Sequence, residues 1–193
     1  MPQGKDKLGA HWTARRTLVS QLAELGLRPD DIQFVGLSHL HLDHAGNVAL
    51  FPKATWLLAP AELAWARAGS ASGVDPALIR PLAKVRVRST EDDLDVFGDG
   101  SVTILRAPGH TPGHRVLLLK LPNAGAVLLS GDLFHTRENY EKSLIPAVNV
   151  SRAETMASIA RFSGLVKRYG ARVIVQHAPE DVRALPAFPA ALD

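Results

Sequence analysis

The chain has 193 residues, 46% hydrophobic and 21% charged, the balance of a globular protein long enough to bury a core as one domain, 1–193. Its formal charge is only +3, with arginine and lysine scattered and no interleaved aromatics, which argues against a nucleic-acid partner. The longest apolar runs, Val116–Leu119 and Ala126–Leu129, are of strand length and exclude a membrane span, and the absence of cysteine excludes disulfides and thiolate ligands. The opening stretch, MPQGKDKLGAHW, lacks the apolar segment of a secretory signal, so cytoplasm is the expected location.

Taken in chain order, Trp12–Leu25 reads as an amphipathic helix, with Leu18, Val19, Leu22 and Leu25 on one face and Gly26 as its stop. Ile32–Ser38 is a short apolar run after Pro29-Asp30-Asp31 and predicts a buried strand. Asn47–Phe51 reads as a short helix and Thr55–Ala59 as a strand. Pro60 then opens a helix to about Ala68, proline being well suited to a first helical position. Gly69–Asp75 predicts a flexible surface loop. Val85–Arg88 alternates as a strand does, and Leu94–Phe97 pairs with Ser101–Arg106 across Gly98-Asp99-Gly100. Arg115–Leu121 and Ala126–Ser130 form a second expected hairpin. Ser151 caps a long helix to Tyr169, with Met156, Ile159, Phe162, Leu165 and Val166 as its core face. Gly170 ends that helix, and Val173–Gln176 is a last buried strand before His177.

The densest chemistry is His39-Leu40-His41-Leu42-Asp43-His44, four nitrogen or oxygen donors in six residues directly after a predicted strand. Imidazole and carboxylate are the side chains that bind zinc and similar divalent ions. A solvated loop with coincidental histidines is the alternative, and four donors in six residues of a chain with eight histidines speak against it. In an extended loop His39 and His41 face the same ion, whereas Asp43 and His44 turn to another side and suit a second. His110 lies in Gly109-His110-Thr111-Pro112-Gly113-His114, where glycine and proline shape a tight bend. Asp132 follows Ser130-Gly131 at a strand end, where its two oxygens suit a bridge between cations. Each of these residues, and His177, stands at or just beyond the end of a predicted strand, so they are expected to converge at one sheet edge.

At these residues the chain resembles the metallo-β-lactamase superfamily of dinuclear metallohydrolases, over roughly Trp12 to the C-terminus. The resemblance implies an α/β fold, an αβ/βα sandwich with two facing sheets and helices outside. It implies that His39, His41 and His110 hold one metal, that Asp43, His44 and His177 hold the other, and that Asp132 bridges them. The two divalent ions are expected to be zinc, with manganese, iron and cobalt as alternatives for such a ligand set. His114 and Thr111 are expected to brace the metal ligands from outside.

The stretch from Asp132 through His135, Thr136, Arg137, Glu138 and Asn139 to Tyr140, with the near-terminal Phe188-Pro189, is similar to the N-acyl homoserine lactone lactonases, the quorum-quenching lactonases. That likeness implies opening of the lactone ring by a metal-bridging hydroxide. Asp43 is expected to orient the nucleophile and Asp132 to carry a proton to the leaving alkoxide. His135 stands where the best-known branch has a tyrosine, and is the candidate oxyanion donor or general acid; a surface histidine near a helix start is its alternative. Ala178 replaces an aspartate common after the last histidine ligand. His11 is expected at the surface or as a cap, and Arg137 with Glu138 as a solvated pair.

Other readings are a different ester, thioester or phosphotriester hydrolase of the same superfamily, or an inactive truncated chain that still binds metal. The expected partners are a small lactone or ester substrate and a second copy in a homodimer, with no nucleic acid and no membrane. Superfamily members carry several strands before their first long helix, whereas this chain reaches that helix almost at once. The expectation is a domain incomplete at its N-terminus, Met1 being an internal or mis-assigned start or the chain a fragment. One flank of the Ile32–Ser38 strand would then expose unpaired backbone.

Overall fold

The structure, a computed structural model, describes the chain at 3–5, 11–13, 16–69 and 71–193. Strands β1 (Gln3–Lys5) and β2 (His11–Thr13) pair with each other in antiparallel register, Gly4 opposite Trp12. Helix α1 (Leu18–Glu24) starts only after Thr17, whose side chain accepts from the Ser20 N–H at 3.1 Å. The expected helix from Trp12 is therefore shorter by its first turns, because 11–13 is extended and paired. Its apolar face packs weakly: Leu18, Val19 and Leu25 are exposed and only Leu22 leans on a core cluster. The His11 side chain lies outside the described residues.

Two sheets follow. The first has the order β3 (Phe34–Gly36), β4 (Thr55–Leu58), β5 (Arg86–Ser89), with every pair parallel. Parallel neighbours need crossovers, and these hold α2 (Leu42–Ala45), α3 (Pro60–Arg67) and α4 (Pro76–Ile79). Trp56 and Leu58 of β4 alternate onto one face, where they pack with Leu40, Val48, Ala66 and Leu82. Leu57 points the other way.

The second sheet runs β10 (Arg172–Ile174), β9 (Gly125–Leu129), β8 (Arg115–Leu121), β7 (Val102–Arg106), β6 (Leu94–Asp95). Both expected hairpins are present in it, Leu94 facing Ile104 and Leu118 facing Leu128. Between β9 and β10 lie α5 (Arg137–Glu141) and α6 (Arg152–Tyr169), and α7 (Pro179–Arg183) follows β10. Val116, Leu118 and Leu128 turn toward α6 and meet Ile159 and Phe162, each contributing about 1.5–3 kcal/mol when fully buried. Met156, expected on that core face, is instead 61% exposed, three residues before Ile159 on the rim of the buried stripe.

The sheets face each other. A side chain on Gly36 would stand 3.2 Å from Ile104 Cδ1, and a cleft of about 500 Å³ between them is lined by Phe34, Leu57, Ile104, Leu117 and Leu129. Strand β3 is thus not the buried strand that its apolar run predicts. It is an edge of its sheet among the described residues, and Phe34 is 37% exposed, packed edge-on against Phe97 with ring centroids 6.2 Å apart. No helix among the described residues is long and apolar enough to cross a membrane.

Candidate metal centre

The strand ends converge as the sequence predicts. After β3 the backbone stays extended, with His41 at φ −63°, ψ 156°, so side chains alternate. Leu40 is driven fully into the core, and His39 and His41 are left together on the other side. The single turn of α2 then swings Asp43 and His44 away. The 69–75 loop, apart from Ser70, which lies outside the described residues, is not a free excursion. The Gly73 carbonyl accepts from Leu42 N–H at 3.0 Å, and the glycine lies against the His41 ring.

His110 arrives on the bend after β7. Gly109 holds φ +134°, a region that glycine enters at low cost, and its carbonyl accepts from the N–H groups of Val150 and Ser151 at the start of α6. Gly113 lets the same bend touch α3, since a Cβ there would overlap Glu62 and stand 2.8 Å from Ala59 Cβ. Gly113→Ala is expected to cost about 1–3 kcal/mol, as overpacking does. That should lower the melting temperature by several degrees in calorimetry. An unchanged value would mean that the bend has room to spare.

Three ring nitrogens meet in one place: His39 Nε2 to His41 Nδ1 is 2.9 Å, His110 Nε2 to His41 Nδ1 3.0 Å, and His110 Nε2 to His39 Nε2 3.2 Å. Two outward nitrogens are already engaged: His110 Nδ1 donates to the Val148 carbonyl at 2.9 Å, and His39 Nδ1 meets Ser38 Oγ at 3.1 Å. The inward nitrogen of neutral His110 is therefore a lone pair, crowded against the ring nitrogens of His39 and His41. Donors around a tetrahedral zinc at about 2.0–2.1 Å stand roughly 3.3–3.4 Å apart. This is the arrangement a cation resolves, and the donor set fits a divalent metal. Burial pushes all three histidines below their ordinary values, so they are neutral at pH 7.

Asp43, His44 and His177 form a second group whose donor atoms lie within 4.8 Å of one another. Asp43 Oδ2 is 3.5 Å from the Nε2 of both histidines. Asp132 stands between the groups. Its Oδ2 lies 3.5 Å from His110 Nε2 and 3.9 Å from His39 Nε2, while its Oδ1 lies 3.0 Å from His44 Nε2 and 3.2 Å from His177 Nε2. Oδ1 is nonetheless buried without a hydrogen bond of good geometry, an orphan that a bound cation satisfies. Burial alone would lower the pKa of His44, but the close Asp132 and Asp43 carboxylates outweigh it and hold it at about 9. His177 is raised by the same Asp132 carboxylate. Burial likewise opposes ionisation of Asp132, yet His177 and His44 hold it well below the usual carboxylate range.

The remaining predicted residues are also here. His114 is fully buried; its Nδ1 donates to the Ala107 carbonyl and its Nε2 accepts from Asp132 N–H, both at 2.9 Å. It therefore orients the carboxylate from behind, and burial lowers its pKa to about 3. The Thr111 hydroxyl reaches no ring nitrogen and lies beside the Glu62 carboxylate. His135 points into the mouth, its Nε2 3.6 Å from Asp132 Oδ2 and without a hydrogen bond. Arg137 and Glu138 are not a pair: Arg137 reaches Asp181 at 3.1 Å and Glu138 reaches Lys142 at 2.7 Å. Ala178 is buried in the core.

Sequence reasoning missed Ser38, whose hydroxyl lies between His39 Nδ1 and His44 Nδ1, at 3.1 and 3.0 Å. It also missed Gln176, which accepts from Gly131 N–H at 2.6 Å and ties β10 to the turn that carries Asp132. Both are polar residues closing predicted buried strands, and that was the available signal.

The pattern of the metallo-beta-lactamase superfamily matches residues 9–177. The chain belongs to that superfamily. It is 32% identical over 176 residues to the N-acyl homoserine lactonase AttM of Azorhizobium caulinodans, covering 88% of this chain and 66% of the relative. To AttM of Rhizobium radiobacter it is 34% identical over 170 residues, covering 84% and 64%. The chain thus spans slightly less than two thirds of the length of these relatives. Among solved structures, AiiA of B. thuringiensis with N-decanoyl-L-homoserine at its active site superposes with a TM-score of 0.80 at 28% identity, covering 91% of this chain and 67% of that one. An N-acyl homoserine lactone hydrolase with N-hexanoyl-L-homoserine at its catalytic metal centre gives the same score, identity and coverage. The two facing sheets with helices outside are the metallo-beta-lactamase fold.

Proposed function

We propose that this chain is a metal-dependent hydrolase that opens the lactone ring of N-acyl homoserine lactones, with two zinc ions held by His39, His41 and His110 and by Asp43, His44 and His177. The observation that carries this reading is Asp132, one oxygen of which faces each group. The lactonase names of the relatives supply the substrate class. Divalent ions so held supply a Lewis acid for the ester carbonyl and an activated water.

The chain's own residues do the rest. Asp43, the most exposed carboxylate of the centre, orients the attacking water. Water adds to the lactone carbonyl and gives up a proton to the Asp132 carboxylate, the ring C–O bond breaks, and Asp132 passes that proton to the departing alkoxide. His135 donates to the carbonyl oxygen as charge develops there, which gives its unpartnered Nε2 a role.

His135→Phe keeps a planar ring and removes the donor. It should lower kcat by roughly tenfold to a hundredfold, toward the low end for general acid or oxyanion donors, with KM little changed. Unaltered kcat in a proton-release assay would remove His135 from the mechanism. Because His135 and Ala178 depart from the best-known lactonases, a second reading is another small-ester hydrolase. A panel of acyl homoserine lactones, plain lactones, thioesters and phosphotriesters separates the two, the proposal requiring the first class to be turned over fastest.

A further inference from the structure

Glu62 is 1% exposed, on the first turn of α3, and belongs to none of the groups above. A glutamate at the third helical position ordinarily reaches back to the N–H of its own helix cap. Here the cap is Ala59, with no side-chain bond, and the carboxylate turns outward. Its Oε1 accepts the N–H of Leu40 at 2.9 Å, and its Oε2 accepts the N–H of Gly113 at 3.0 Å. Leu40 is the residue between His39 and His41, and Gly113 lies three beyond His110. One buried side chain therefore joins the two loops whose histidines must meet.

We propose that Glu62 is a positioning residue whose carboxylate sets the spacing at which His39, His41 and His110 share one ion. This rests on the metal-site reading above. Both oxygens accept from backbone N–H groups, which favours the ionised acid against the burial that opposes it; an amide would keep one acceptor and set an NH₂ against the other N–H. The close approach depends on Gly113, where any Cβ would overlap Glu62. Besides the clamp, the two segments meet at the Arg115 N–H, which donates to the Ser38 carbonyl at 2.8 Å at the outer end of the bend, and at the histidines themselves; the Glu62 bonds are the ones that hold Leu40 and Gly113.

The test is a two-step chelator competition with zinc on the full chain, following ring signals of His41 and His177 by NMR to tell the groups apart. Glu62→Gln should weaken zinc at the His39 group by about 10- to 100-fold, the usual effect of an outer partner, and leave the His177 group within a few-fold. Ala66→Gly, buried in the same helix but bonded to neither loop, should lower the melting temperature and leave both affinities unchanged. The proposal is overturned if the Glu62→Gln isotherm superimposes on the wild type, or if Ala66→Gly weakens zinc equally. Amide exchange at Leu40 and Gly113 in the metal-free wild type decides the matter even where Glu62→Gln does not fold. Both amides should be protected, and free exchange at either rejects the clamp. A wild type that binds no zinc refutes the metal site, whereas normal wild-type binding with an unaffected Glu62→Gln refutes only the role of Glu62.

Discussion

Asp132→Ala is expected to lower lactone turnover by roughly a hundredfold to a thousandfold, more than the 10- to 100-fold typical of an outer-shell partner, because it removes the carboxylate that faces both groups. The wild-type carboxylate is buried, with Oδ2 toward His39 and His110 and Oδ1 toward His44 and His177. Its loss should also lower metal content from two equivalents toward one, since Asp43, His44 and His177 form the more open and weaker group. Stability should change less than the removal of a buried charge suggests. Breaking a buried ion pair is costly when it strands the partner's charge. Here the partners are histidines, and without Asp132 the raised pKa of His44 falls back so that its ring sheds the proton. The melting temperature near pH 8 should therefore move by only a few degrees. Proton release with an acyl homoserine lactone, beside metal analysis of the same sample, checks both statements. Equal turnover in wild type and variant would sink the two-group mechanism.

Most of this centre is legible in the sequence because its logic is local. Alternation in an extended strand places His39 and His41 on one side with Leu40 between them in the core, and the glycines and proline around His110 announce a bend. The hairpins that carry Asp132 to the same edge are equally local, two apolar runs joined by a turn. What was hidden depends on contacts between distant segments. Glu62 reads as an ordinary first-turn acid, and its partners are 22 and 51 residues away. Arg137 and Glu138 look paired because they are adjacent, but helical neighbours four apart and Asp181 across the fold take them instead. Met156 satisfies the periodicity of a core face while standing just past the edge of what β8 and β9 cover. For β3 the apolar run correctly gives a strand, but a run cannot say how many neighbours the strand has, and here one side is open among the described residues.

Proton and metal should compete unequally at the two groups, which gives a way to resolve them. A histidine ligates through a lone pair, so a ring that holds its proton must release it before metal binds. At the first group burial has already lowered the values of His39, His41 and His110, and zinc affinity there should depend on pH between 6 and 8 far less than at the second. At the second group His44 holds its proton up to about pH 9 in the metal-free chain, and His177 is shifted the same way by Asp132. Below its pKa, each pH unit changes the neutral fraction of His44 about tenfold, so affinity at this group should rise by roughly a hundredfold between pH 6 and pH 8. The sign is fixed: raising the pH strengthens the second site, and lowering it empties that site first. Activity that needs both ions should then fall on the acid side together with the weaker occupancy, while one equivalent of zinc stays bound. Titrations at pH 6, 7 and 8 in zinc buffers, with proton uptake or release recorded, give the two slopes. Two parallel curves would contradict the assignment, because they would place the bound protons on neither group or on both alike. In Asp132→Ala the slope of the second site should flatten, since the carboxylate that keeps His44 and His177 protonated is gone.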